Sequence, residues 1–445
     1  MFLYTPPRTS ALSFAQLVLS DTLQAEIMQA TQLRATLELL LRQDPPVEPL
    51  RLVQAVSDYL PYAQALYDGV LKDAILLQHE PTFTWRSILA PHTQTQVTSL
   101  AGELSAMHVL YGTALSNEAV AMVDALGAYE VDPSVSTAER RARDERLKVA
   151  TDLLSRASGV LDYAATHVLP VFERMAPASR ALELTTSGLQ ALSRTALADA
   201  HALAIRKLQA PALAQATDTL TPGPPLPAGH PSPSLLAKLH LHTSSLYHEA
   251  HALLSQGVRA PSAPRVKLQA TLLKVKRDPR SPDTTLSALR YMHREAQWHQ
   301  ALAYKWLGID SGEQSNDMGW GMAYLRTALE LLQALVPRTA LDALRGARRG
   351  GAVRFRTTEE RMALEHASVS RWLSAYTKTN ETVTFHRVPA QQEVPQWTPE
   401  GRPALFAKSF EPRCAFSVDL VSPSIAASAP HSVPKRTYTG ADAYY

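Results

Sequence analysis

Apolar residues recur at steps of three and four along most of the chain, which predicts a succession of amphipathic helices rather than strands. The first helical stretch covers 13–42, interrupted near Ser20 and Asp21, with Leu33, Leu37, Leu40 and Leu41 on its apolar face. Asp44-Pro45-Pro46 ends it. A second runs over 49–77, with Val53, Val56, Leu60, Ala63, Leu66 and Val70 on one side. Pro61 lies inside it, and a residue without an amide hydrogen is expected to kink or split a helix. Residues 79–85 lack the helical period and read as extended. A third helix is expected over 96–126. Ser136 and Glu139 have capping-box spacing and open the most regular helix, on which Leu147, Ala150, Leu154, Ala157, Leu161, Ala164 and Val168 recur, with a break at Pro170. The next spans 185–209, with Leu189, Leu192, Ala196, Leu203 and Ile205 mostly inward.

Residues 221–233 (TPGPPLPAGHPSP) read as a loop. Helix is expected again over 234–256 and, after Pro261 and Pro264, over 286–307; then a turn region over 308–319, helix over 322–335, a basic loop over 345–351, and a last helix over 358–379 capped by Thr357 or Thr358. Thr382 to Phe385 are β-prone, and prolines 389, 395, 399 and 403 then predict an extended strap laid over a surface. The small, polar composition from Ser422 onward reads as a disordered tail. No long linker separates the helices. The expected fold class is therefore all-α: one elongated, solenoid-like helical domain over 1–412, with a flexible tail over 413–445.

Composition narrows the function. The 445 residues carry 44 Lys+Arg against 41 Asp+Glu, a net charge of +3 with no dominant basic stripe, so nucleic acid is not an expected partner. Cys414 is the only cysteine, which excludes an internal disulfide and a CxxC zinc site and fits a reducing compartment. No apolar run is long enough to span a bilayer, and 1–10 has no apolar core of a secretory signal. A soluble intracellular protein is the expectation.

Catalytic signals are sparse. There is no GxSxG, GxGxxG or GxxxxGK[ST] motif, and Cys414 lies in the strap rather than at a helix N-terminus. His240, His242, His248 and His251 fall on one helix, and His248-Glu249-Ala250-His251 is one residue short of HExxH spacing. A metal-dependent hydrolase built on this helix is one alternative; positions on an ordinary Ala/Leu-rich helix are the other. Gly308, Gly312, Gly319 and Gly321 are better explained by a turn and close helix packing than by a phosphate site. Arg140, Arg141 and Arg143, and the arginines of 345–356, each have acids beside them and read as solvated faces. No cofactor is expected.

An ordered series of segments carries a resemblance: Asp58-Tyr59-Leu60-Pro61-Tyr62, AYKWLG at 303–308, GWGMAYL at 319–325, WLSAYTKTNETVTFHRVP at 372–389, and Pro399-Glu400-Gly401-Arg402. Over about 10–412 the chain resembles the Bro-type domain family, the boomerang-shaped helical adaptors found in Alix and its relatives. It is most similar to a fungal branch of pH-response regulators that consist of little more than this domain.

The resemblance implies a non-enzymatic adaptor. Its partner would be the C-terminal amphipathic helix of the core ESCRT-III filament subunit. It would bring ESCRT-III to a pH-sensing receptor complex at the plasma membrane, supporting proteolytic activation of a PacC-type transcription factor in alkaline medium. Localisation would be cytoplasmic with recruitment to plasma-membrane or endosomal sites, and membrane association peripheral only. A Bro-domain adaptor in endosomal sorting is the related alternative. By resemblance the partner-binding positions are Asp144 and Lys148, four apart on one helix face, with Lys207 and Leu213 further on. The family phenylalanine falls on Ala204, for which Leu203 or Ile205 would compensate, and a family lysine falls on Ala106. Nothing matches the V-shaped coiled-coil domain of Alix, so binding of YPxL-type peptides is not expected.

Overall fold

The computed structural model describes residues 1–417 except 21, 133, 176–179, 216–222, 227–228, 260–283 and 337–357. Its helices are α1 (Gln24–Leu41), α2 (Pro49–Leu71), α3 (Leu100–Leu126), α4 (Thr137–Tyr163), α5 (Leu169–Met175), α6 (Thr186–Gln215), α7 (Pro233–Arg259), α8 (Thr284–Glu313), α9 (Met318–Leu335) and α10 (Thr358–Thr379). The long helices pack mainly on their neighbours in sequence: α1 on α2, α2 on α3, α3 on α4, α4 on α6, α6 on α7, α7 on α8, α8 on α9 and α9 on α10. This nearest-neighbour order makes the elongated stack that the pattern of apolar positions predicted.

Strands are a minor addition, and they correct two expected helices. β1 (Val18–Leu19) pairs antiparallel with β2 (Leu76–Leu77), so 13–42 and 49–77 are each helical over only part of their length. β3 (Thr82–Arg86) pairs with β4 (Gln94–Thr98), with Phe83 opposite Val97 and Trp85 opposite Thr95. The third helix therefore starts after Thr98, with Ser99 accepting from the Gly102 amide. The expected helix over 96–126 thus loses its first turn to a strand, because pairing with Thr82–Arg86 outweighs the local helical period.

Two prolines fail to break their helices. α2 continues through Pro61 and buries Tyr59, Leu60, Ala63 and Leu66, apolar burial that offsets the lost hydrogen bond. Pro170 follows a π-helical turn, Ala164–Val168, where the Leu169 amide reaches back to the Ala164 carbonyl. The wider spacing there relaxes the helix at the point where proline cannot donate.

The expected turn over 308–319 is mostly helix. α8 runs to Glu313, and Asp317 caps α9 by accepting from the Trp320 amide at 3.1 Å. Gly308 and Gly312 are packing glycines: a β-carbon at 308 would lie 2.9 Å from the Gly321 carbonyl oxygen, and one at 312 would lie 2.3 Å from the Tyr376 ring. The β-prone 382–385 forms no strand; Asn380–Thr384 is a π-helical turn ended by Phe385 in the left-handed region (φ 52°). Asn380 fixes it, accepting from the His386 amide and donating to the His386 carbonyl.

The strap is the second organising feature. The Arg402 amide donates to Lys238 O on α7 (2.9 Å), Lys408 to Ser155 O on α4 (3.0 Å) and Ala415 to Pro61 O on α2 (3.0 Å). It thus crosses the stack transversely, towards its N-terminal end. A β-carbon at Gly401 would lie 2.5 Å from the His242 amide nitrogen, which explains the glycine in Pro399-Glu400-Gly401-Arg402. Docking continues past 412, with the Phe416 ring 6.2 Å from that of Tyr62. The basic loop over 345–351, and Tyr438, Tyr444 and Tyr445 of the tail, lie outside the described residues.

Candidate partner-binding surface

α4 and α6 pack side by side and antiparallel, with Ser158 against Ser193 in the core (3.0 Å) and Glu145 opposite Lys207 at the other end (3.7 Å). The expected binding residues lie at that outer end. Ser136 opens α4 by accepting from the Glu139 amide (3.2 Å), one half of the capping box; Glu139 pairs instead with Arg143. Leu147, Ala150 and Leu154 turn inward, leaving Asp144 half-buried and Lys148 exposed on the opposite side. Lys148 and Lys207 both approach Glu145, at 3.6 and 3.7 Å. These are screened surface contacts worth well under ~1 kcal/mol, so a partner can replace them cheaply.

Asp144 is held by a residue that no local pattern signalled. Tyr129 Oη donates to Asp144 Oδ1 at 2.5 Å. Arg206 of α6 lies over the Tyr129 ring at 5.6 Å and pairs with Glu130 at 2.5 Å. Burial, and then the bond to Asp144, push the Tyr129 phenol above its ordinary range, so it remains a donor. Tyr129, Glu130 and Arg206 come together only because α3, α4 and α6 pack.

The remaining expected positions divide. Ala204 and Lys207 face the groove side, half-exposed. Leu203 and Ile205 are 5% and 2% exposed, so neither compensates at the surface for the family phenylalanine: Leu203 belongs to the core with Leu147, Ala150 and Leu154. The exposed apolar residue on Ala204's face is Leu208, one turn on and 37% exposed. Leu213, beyond the expected helix end at 209, is still on α6, which runs on through Pro211 to Gln215. It lies about two and a half turns beyond Ala204, on the opposite face. Ala106 is a core position of α3, 6% exposed, where a lysine would be buried.

The histidines do not converge. His240 Nδ1 lies 2.8 Å from His299 Nδ1 on α8, the His242 ring is 4.9 Å from that of His201, and the His251 ring is 5.5 Å from that of His293. Among the described residues no three metal-binding side chains form a group that could hold an ion. Burial, and then its bond to Asp68, push the Cys414 thiol up to about 11, the reverse of an activated thiolate. Arg140 is spent on the carbonyls of Val135, Glu130 and Asp132. No helix among the described residues is long and apolar enough to cross a membrane.

The fold matches known proteins. The ALIX BRO1–CHMP4C complex superposes with a TM-score of 0.58 at 16% identity, covering 95% of this chain and 99% of that one. ALIX bound to the SIVmac239 PYKEVTEDL late domain gives 0.59 at 16% identity; the match covers 92% of this chain and 49% of ALIX, about half its length. In sequence, the pH-response regulator protein palC of Cryptococcus neoformans is 34% identical over 455 aligned positions, covering 92% of this chain and 91% of that protein. The palC protein of Yarrowia lipolytica is 24% identical, covering 99% and 98%. The BRO1-like domain family matches residues 16–412. This chain therefore belongs to the BRO1-like domain family and is a Bro-type helical protein close to the PalC pH-response regulators.

Proposed function

We propose that this protein is a non-enzymatic adaptor that binds the C-terminal amphipathic helix of the core ESCRT-III subunit through its α4–α6 surface. It acts in ambient-pH signalling, bringing ESCRT-III to a receptor complex at the plasma membrane so that a PacC-type transcription factor is proteolytically activated. The protein is cytoplasmic and associates with membrane only through its partners. The observation that carries the reading is the exposed end of the α4–α6 pair. There Asp144 is held in place by Tyr129, while Lys148 and Lys207 make only weak contacts with Glu145. Charge of both signs beside the half-exposed Ala204 and exposed Leu208 suits an amphipathic helix. Support comes from the fold shared with the ALIX BRO1–CHMP4C complex and from likeness to palC proteins along nearly the whole chain.

The test is a pulldown with the ESCRT-III C-terminal helix. Lys148→Glu with Lys207→Glu is expected to abolish capture while the circular dichroism spectrum is unchanged. Leu213→Asp, off this face, is expected to leave capture intact. Retention by the double variant would remove the surface, and no capture by the parent protein would remove the function. In cells, a tagged protein is expected to reach cortical foci on a shift to alkaline medium only when the ESCRT-III subunit and the receptor complex are present.

A further inference from the structure

The geometry points to Phe406 as the apolar anchor of the α4–α6 surface, supplied by the strap to a face where α6 itself has Ala204 and Leu208 but no aromatic side chain. This inference rests on the function proposed above and adds a binding residue to it.

Asp144, Lys148, Asp152, Ser155 and Gly159 follow one another at steps of four, four, three and four, so they lie along one face of α4. The strap meets that same face one turn beyond Lys148. Lys408 Nζ pairs with Asp152, the Lys408 amide donates to Ser155 O (3.0 Å), and a β-carbon at Gly159 would lie 1.6 Å from Lys408 O. On the other side Arg402 is tied to Lys238 of α7. The residues between must cross α6, which packs between α4 and α7.

Leu405 marks the crossing. It packs against the core that contains Leu147, Leu154, Ala200 and Leu203. Leu405 is half-buried there, and successive side chains of an extended segment point to opposite sides, so packing Leu405 inward turns Phe406 outward. Phe406 is 76% exposed, the most exposed large apolar side chain among the described residues. Its backbone is pinned on both sides, so the ring is presented with little backbone entropy left to lose on binding.

The occupant follows from the surroundings. The exposed end of the α4–α6 pair offers Leu208 on the face of Ala204, with Lys148 and Lys207 both approaching Glu145 and with Asp144 one turn before Lys148. An apolar stripe edged by charges of both signs complements an amphipathic helix. An anionic lipid surface would call for one sign only.

The experiment is fluorescence anisotropy with a synthetic peptide of the ESCRT-III C-terminal helix. Phe406→Ala is expected to weaken binding by about tenfold or more, as loss of a central aromatic anchor does, with an unchanged thermal midpoint. Phe406→Leu is expected to keep most of the affinity. Adding Ala204→Phe to Phe406→Ala is expected to restore part of it, because the ring then returns on the neighbouring helix. Binding by Phe406→Ala within about twofold of the parent protein, when the parent binds, overturns this inference and leaves the proposed function standing. No binding by the parent protein overturns both. Unchanged peptide binding with loss of flotation on vesicles containing phosphatidylserine would make the occupant a membrane, and the inference falls.

Discussion

Lys408 of the strap lies directly on Gly159 of α4, so closely that a β-carbon at 159 would sit 1.6 Å from the Lys408 carbonyl oxygen. Here the glycine is needed for close approach rather than for its backbone angles: it lies within regular helix. Gly159→Ala is therefore expected to lift the strap while leaving α4 helical. The gain in helix propensity, ~1 kcal/mol, offsets only part of an overpacking cost of about 1–3 kcal/mol. Limited proteolysis with trypsin should cut the variant after Lys408 well before the parent, with little change in far-ultraviolet circular dichroism. Equal rates of cleavage would show that the strap does not depend on this contact.

The Arg34–Glu103 pair ties the N-terminal segment, α1, the β3–β4 hairpin and α3 together. Both side chains are 1% exposed and meet at 3.0 Å. Arg34 also donates to Ser10 O and Thr9 Oγ1, and Trp85 Nε1 donates to Glu103 Oε2. Removing one partner leaves a buried charge unpaired, so Arg34→Met is expected to cost about 3–5 kcal/mol in urea unfolding. Arg34→Met with Glu103→Leu should recover much of that loss. If the double variant is as unstable as the single one, the hydrogen bonds to Thr9, Ser10 and Trp85 rather than the charge carry the effect.

Stability should fall on mild acidification. Burial lowers His108 and His201 to about 4 and His299 to about 3, from an ordinary value of 6.5. His240 and His242 shift the same way, for the same cause. Below about pH 6.5 the unfolded chain binds protons that the folded chain refuses, so this stability is present above that pH and is lost as pH drops towards 4. Each group contributes a slope of up to ~1.4 kcal/mol per pH unit. Glu183 and Asp199, raised by burial, act in the opposite sense, but the histidines outnumber them. The urea midpoint is expected to drop between pH 7.5 and pH 5, with a shallower slope for His299→Leu. A flat profile would contradict it.

Gly312 meets the Tyr376 ring where α8 and α10 approach. Tyr376 is nearly buried and donates to Glu313 Oε1 at 3.0 Å, so it has no room to withdraw. Gly312→Val is expected to lower stability by about 1–3 kcal/mol from overpacking, which the small gain in helix propensity over glycine offsets only in part. A midpoint equal to that of the parent would mean that α10 shifts freely.

The spacing of apolar residues in the sequence already determined the helical stack, because a period of three to four specifies which face each helix buries whatever it packs against. It also contained the ordered motifs of the Bro-type family, the strap and the four-residue spacing that puts Asp144 and Lys148 on one helix face, each of which depends on residues close together in the chain. Tertiary structure alone decided the rest. The β3–β4 hairpin exists because Thr82–Arg86 and Gln94–Thr98 can pair, which local propensity does not encode. Pro61 and Pro170 stay within helical segments because packing and a π-helical turn absorb the missing donor. The resemblance puts Leu203, Ala204 and Leu213 all among the partner-binding positions, yet the packing of α4 on α6 sends Leu203 to the core and leaves Ala204 at the surface, while Leu213 lies half a turn away. Tyr129 beneath Asp144, and Phe406 carried over α6 by the half-buried Leu405, depend on contacts between distant segments. No periodicity records such contacts, because they are made by the rigid packing of whole helices rather than by neighbours along the chain.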